Sequence, residues 1–357
     1  MERIIITKNE SNQRLDRFLK KYLRNAPLSY IYKTVRRNTK VNGKRADINV
    51  ILNDGDEVLL YLTVDDLSDM TRRRKTHSAK KQFKIAYEDE NLLIAEKPLG
   101  LLIHGDRTEK KNTLANQVIG YLRENNEHST GARETFAPSP VNRLDRNTTG
   151  LVIFGKNLNA LQQLNEMIRQ RGQILKYYLT IVKGSMAEEL VLRDLMSKDR
   201  DTNTVSLIPE TTMQTAETAA ATANRRPEID ATKDSDNAID NDFKPMVSIA
   251  RPVSKASGYT FVEIELITGR THQIRAQLAA AGFPVIGDPK YGNPAVNARV
   301  AKRFGLTTQF LHAYKLVFQA AHGDLAYIKG LVVTAPLSGS FEYISSTIFG
   351  ADTLEKI

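Results

Sequence analysis

The 357-residue chain contains no cysteine. That excludes disulfide scaffolds, thiolate nucleophiles, zinc knuckles and iron–sulfur clusters, and it fits a reducing compartment. No run approaches the roughly 18 consecutive apolar residues of a transmembrane helix, so no membrane span is expected. Met1 to Asn9 turns polar too soon for a secretory signal, and a cytoplasmic protein is expected. The six histidines (His77, His104, His128, His272, His312, His322) lack the paired spacing that holds zinc, so no metal site is expected. Internal repeats are also missing.

What is present reads as globular. Hydrophobic residues are 41% and charged residues 26% of the chain, and its length suggests two domains. The net charge is +10. Residues 1–82 hold 19 basic and 10 acidic side chains, so +9 of it falls in the first quarter. A segment so basic suits a polyanion, with nucleic acid ahead of anionic lipid, although a solvated lysine-rich surface has the same composition.

Residues 1–64 read as a small α/β unit. Leu15, Phe18, Leu19, Tyr22 and Leu23 fall at helical spacing, with Arg17, Lys20, Lys21 and Arg24 on the other face. A second helix, Tyr30 to Arg37, turns Ile31, Thr34 and Val35 inward and Lys33, Arg36 and Arg37 outward. Asn42-Gly43 and Asp54-Gly55-Asp56 mark turns before the strand Glu57 to Leu62. Residues 65–81 carry few large apolar side chains and are expected to be a linker. A larger domain is expected over 82–345, built from short strands such as Leu92–Ala95 and Leu151–Phe154 and a helix from Leu158 to Arg171. Residues 209–243 hold 8 acids against 3 bases and few apolar anchors, and are expected to form a disordered insertion.

Gly150 to Asn157 nearly matches a phosphate-binding loop. Its middle is four strand-forming residues, however, and asparagine stands where magnesium coordination needs serine or threonine, so nucleotide binding is not expected. The informative stretch is Asn142-Arg143-Leu144-Asp145-Arg146-Asn147-Thr148-Thr149-Gly150. In an extended chain Arg143 and Asp145 share one side, and a carboxylate flanked by two arginines stays ionised. Alone, such a pair is more often an ordinary surface ion pair. Two further segments shift that balance. Lys176, Tyr178 and Thr180 share one face of a strand, and the strand Tyr259 to Leu266 runs into Thr268-Gly269-Arg270-Thr271-His272-Gln273-Ile274-Arg275, with Thr271 placed to cap the helix that follows.

These residues resemble the RluA-type pseudouridine synthases. The resemblance rests on the Arg-Leu-Asp stretch, on Lys176-x-Tyr178 and on Gly269 to Arg275. It extends to Lys97-Pro98-Leu99-Gly100, to Gly287-Asp288-Pro289-Lys290-Tyr291-Gly292 and to Leu311-His312-Ala313. Residues 13–61 resemble the S-four RNA-binding domain shared with a small-subunit ribosomal protein. Two departures are mild: Asn142 stands where the family often has histidine, and Thr149 where it often has serine.

The resemblance implies an α+β protein, with a small RNA-binding domain ahead of a mixed, mainly antiparallel catalytic sheet flanked by helices. It implies isomerisation of uridine to pseudouridine in structured RNA, ribosomal RNA ahead of transfer RNA, by a monomer needing no cofactor. Asp145 is the implied catalytic carboxylate, Arg275 its cation, and Tyr178 the group that stacks on or deprotonates the base. Arg143 would help displace the target nucleotide. Lys97, Lys176, Arg270, His272 and Gln273, together with Arg17, Lys20, Lys33, Arg36 and Arg37 of the basic N-terminal face, are expected to bind the RNA substrate. Two other classes stand beside this one. An inactive RNA-binding or ribosome-assembly protein would have lost one of Asp145, Tyr178 and Arg275, and a glycosidase would need a second carboxylate in a comparable setting.

Overall fold

A computed structural model of the chain describes residues 1–72, 79–125, 136–198, 205–209 and 244–356. The acidic stretch 210–243, His77 and His128 lie outside the described residues.

In the N-terminal unit a four-stranded sheet runs in the order Glu2–Ile5, Glu57–Leu60, Thr39–Val41, Lys44–Arg45. Helices Leu15–Tyr22 and Leu28–Asn38 pack on it through Phe18, Leu19, Ile31 and Val35. Asn42 and Gly43, with φ of 50° and 76°, form the tight turn between the last two strands. The segment read as a linker from residue 65 begins differently. Val64–Thr71 is a helix, capped by the Thr63 hydroxyl on the Asp66 N–H, with two aspartates in its first turn. Leu67 and Met70 lie three residues apart and dock on the N-terminal core, and the Asn25 amide donates to the Asp69 and Arg72 carbonyls.

The second unit is built on an eleven-stranded sheet among the described residues. Nine strands run in the order Val205–Pro209, Leu190–Lys198, Lys244–Ala256, Tyr259–Leu266, Ile174–Lys183, Leu311–Phe318, Thr149–Gly155, Leu92–Lys97, Lys84–Glu88. Val332–Thr334 and Ser139–Pro140 pair alongside. Every pairing is antiparallel but one: Thr149 and Gly150 lie parallel to His312 and Ala313. The central strands are apolar on both faces because both faces are covered. Leu93, Ala95, Val152 and Phe154 face helix Leu114–Glu124 on one side, while Leu92, Ile94, Leu151 and Ile153 face helix Leu158–Arg169 on the other. Each such Leu, Ile or Phe contributes about 1.5–3 kcal/mol. Tyr259–Leu266 puts Val262, Ile264 and Leu266 in one core layer, but its other face is covered as well: Phe261 is fully buried there, and Glu263 and Glu265 are half-buried. Among the described residues no helix is long and apolar enough to cross a membrane.

Gly150 is where the fold demands glycine. Its φ is +108°, and a Cβ there would lie 2.1 Å from the Ala313 carbonyl oxygen. That close approach lets the parallel junction form beside the loop that carries Asp145.

Candidate active site

Asp145 sits in the loop between Ser139–Pro140 and Thr149–Gly155. Leu144 is buried and anchors the loop, and the Asp145 carbonyl accepts the Thr148 N–H at 3.1 Å. Asn142 stitches the loop to the sheet, accepting the Ile153 N–H at 2.8 Å and donating to the Leu151 carbonyl at 3.2 Å. Asparagine, with one acceptor and two donors, meets both demands.

Arg275 comes from helix Gln273–Ala280, 130 residues away in sequence, and is only 5% exposed. All three of its guanidinium nitrogens donate. Nε and Nη2 donate to Asp288 at 2.7 and 2.8 Å, and Nη1 donates to Asp145 Oδ2 at 2.9 Å. Asp288 also accepts the Lys290 and Tyr291 N–H groups. Burial opposes its charge, but Arg275 and those N–H groups prevail and hold the carboxyl below its ordinary range. Asp288 thus fixes a buried guanidinium in the one plane from which it can reach Asp145.

The Asp145 side chain is 28% exposed and opens into a cavity of about 560 Å³. Among the described residues its Oδ1 has no hydrogen-bond partner, because Arg275 takes Oδ2. Tyr178 lines the same cavity, and its hydroxyl likewise has no partner among the described residues. Burial, helped by the Asp145 charge, pushes that phenol well above its ordinary value. It is therefore protonated at neutral pH. Lys176 lines the cavity too, pulled down to about 8 by burial and by Arg171. Arg270 joins the lining with a buried Nε that has no hydrogen-bond partner among the described residues. Arg143 is exposed at the mouth.

Several expected binding residues are placed otherwise. Lys97 is 0% exposed and does not reach the cavity. Its Nζ donates to the carbonyls of Pro98, Leu101 and Arg146 at 2.8–3.0 Å, tying two loops together beneath Asp145. Burial pulls it down to about 7, with Asp145 pulling the other way. Gln273 is 2% exposed, and its amide is consumed by the Thr268 hydroxyl, the Arg270 N–H and the Val247 carbonyl. It shapes the turn, and although it lines the cavity most of its amide is committed to that turn. Thr271 caps nothing: the helix begins after His272, which occupies the left-handed region with φ of 57°. The near phosphate loop is a strand, and Lys156 is buried on Glu88 and the Asp89 carbonyl. Arg17, Lys20, Lys33, Arg36 and Arg37 are all exposed on the two N-terminal helices.

Sequence reasoning gave no role to Asp288, Tyr291 or His104. Asp288 was visible only as part of a Gly-Asp-x-x-Tyr-Gly motif, and the useful signal was that a buried arginine facing one carboxylate needs more acceptors. His104 stands at the cavity wall after the buried residues Leu101 and Ile103, with no spacing to mark it.

A cavity that sets one carboxylate against a buried guanidinium, with a buried tyrosine in the same lining, has the make-up of an enzyme site. Residues 91–280, more than half of the chain, match the RNA pseudouridylate synthase family, and the chain belongs to it. It is 28% identical over 339 residues to an uncharacterized RNA pseudouridine synthase of Mycoplasma capricolum subsp. capricolum, covering 93% of this chain and 97% of that one. Over 319 residues, 88% of each chain, it is 27% identical to ribosomal large subunit pseudouridine synthase C of Escherichia coli K12. The solved structure of human RNA pseudouridylate synthase domain containing 4 shares the fold, with a TM-score of 0.53 and 21% identity over 76% of this chain and 92% of that one.

Proposed function

We propose that this pseudouridine synthase isomerises uridines in large-subunit ribosomal RNA, with Asp145 as the catalytic carboxylate. The RNA class is supported by the name of the Escherichia coli relative, and the residue by the Arg275–Asp145 pair, which is the observation that carries the reading. The reaction breaks the N1–C1′ bond, turns the uracil and joins C5 to C1′. N1 gains a proton and C5 loses one, with no net redox change. Asp145 Oδ1, without a partner among the described residues, is the atom that engages the ribose, while Arg275 holds the carboxylate through Oδ2. Tyr178, held as a phenol, stacks on the base and donates a hydrogen bond; it is not a resting proton acceptor. The uridine must leave its helix to enter the cavity, and Arg143 at the mouth meets the displaced backbone. Lys176 and Arg270 offer unpaired donors to the same nucleotide. The exposed cations of the N-terminal helices hold the surrounding RNA as an S-four-type domain. The enzyme works as a cytoplasmic monomer.

The test is tritium release from C5-labelled ribosomal and transfer RNA transcripts, together with mapping of pseudouridines in cells with and without the gene. Pseudouridines lost from large-subunit RNA support the reading. Sites lost only from transfer RNA replace the substrate, and full turnover by Asp145→Asn removes Asp145.

A further inference from the structure

His272 stands out because three observations converge on it. Its backbone is left-handed, an uncommon state for a residue with a side chain, and one that clusters at functional sites. Its Nδ1 lies 3.1 Å from the Tyr291 hydroxyl, with the two rings edge to face at 5.7 Å. Its Nε2 lies 3.9 Å from Asp145 Oδ2, the same oxygen that Arg275 holds.

We propose that His272 is a positioning residue: Tyr291 donates to Nδ1, so the ring proton sits on Nε2 and closes onto Asp145 Oδ2 when a nucleotide fills the cavity. This rests on the assignment of Asp145 above. At 3.9 Å the contact is too long for a hydrogen bond, and catalytic contacts of that kind tighten on substrate binding. With Arg275 on one side of Oδ2 and His272 on the other, the carboxylate cannot rotate, and Oδ1 remains aimed into the cavity. The turn Gly287 to Gly292 supports both groups at once. Its Asp288 holds Arg275 and the Tyr291 N–H, and its Tyr291 orients the histidine.

The charges facing the ring are Asp145, Asp288, Arg275 and Lys290. Burial is the largest influence and lowers the ring's proton affinity; Asp145 and Asp288 raise it, Arg275 and Lys290 lower it, and the net direction is down, so the imidazole is neutral near pH 7. As pH falls a second full cation arrives beside Asp145 and weakens the carboxylate, whether it attacks or takes a proton.

The experiment uses the full-length enzyme. ¹⁵N NMR of the histidine rings in the absence of RNA reads the tautomer directly. Turnover on a C5-tritiated large-subunit RNA transcript is then compared for wild type, His272→Asn, His272→Gly and Asp145→Asn. Asparagine and glycine both accept the left-handed backbone, so the fold is kept while the ring is lost. The expected results are an Nε2–H tautomer, a kcat about tenfold or more lower in both His272 variants with KM unchanged, and an acidic limb of kcat displaced to lower pH. An Nδ1–H tautomer, a loss that falls on KM, or wild-type kcat in His272→Gly would overturn the proposal. Turnover by Asp145→Asn would instead overturn the assignment on which it rests, and the NMR result would still stand by itself.

Discussion

The two units of this enzyme handle positive charge in opposite ways. In the N-terminal unit, Arg17, Lys20, Lys33, Arg36 and Arg37 stand in solvent above an apolar core. In the catalytic unit, Arg275 is buried and locked by three hydrogen bonds to two carboxylates. Solvent makes the first set weak singly, additive and sensitive to salt. Burial makes the second strong, cooperative and intolerant of losing any member. The same residue type therefore forms an exposed basic surface at one end of the chain and a buried clamp on two carboxylates at the other.

That contrast can be broken by substitution. The largest effect is expected for Asp145→Asn, which keeps the shape and removes the charge: turnover should fall by about 10⁴-fold with RNA affinity nearly unchanged, read by tritium release beside a binding titration. Next, Asp288→Asn leaves Arg275 buried without its main counter-charge and should cost about 3–5 kcal/mol in denaturant unfolding, with little dependence on salt. Because the folded Asp288 carboxyl sits below its unfolded value, its contribution is present above about pH 4 and is lost as pH falls through the folded value. The gap between wild type and variant should close in acid. A smaller effect is expected for Arg36→Ala with Arg37→Ala. RNA affinity should drop and the slope of log affinity against log salt should flatten by about two, with kcat at saturating RNA unchanged. If that pair altered kcat, or if Asp288→Asn proved salt-sensitive, the division between the units would fail. Smallest of all, Thr271→Ala should change thermal stability by less than about 0.5 kcal/mol, since the exposed hydroxyl caps no helix.

Local pattern made some of this readable in the sequence. Continuous apolar runs such as Leu92–Ala95 and Leu151–Phe154 announced strands buried on both faces, whereas the alternation from Tyr259 to Leu266 suggested a half-exposed strand and missed Phe261, which is fully buried on the face opposite Val262 and Ile264. The helix at Val64–Thr71 was missed because Leu67 and Met70 are sparse anchors whose weight depends on the core they meet. Lys97 and Gln273 looked like binding groups because a motif names a residue without saying which way it points. Lys97 is turned inward onto three carbonyls, and Gln273, though it lines the cavity, is largely committed to the turn before its helix. The left-handed backbone of His272 and the clamp by Asp288 arise only when distant segments meet, and no local spacing encodes them.

The parallel contact at Thr149–Gly150 and His312–Ala313 governs when the enzyme comes into being. Strand Leu311–Phe318 lies between the strand that follows Asp145 and the strand that bears Tyr178. Until it is inserted, those two walls of the cavity belong to no common sheet. On a ribosome making the chain from its N-terminus, the basic helices fold early, from contacts within the first 72 residues, and the reactive centre waits for a pairing that spans about half the chain. A growing chain therefore acquires its basic surface first and its chemistry last.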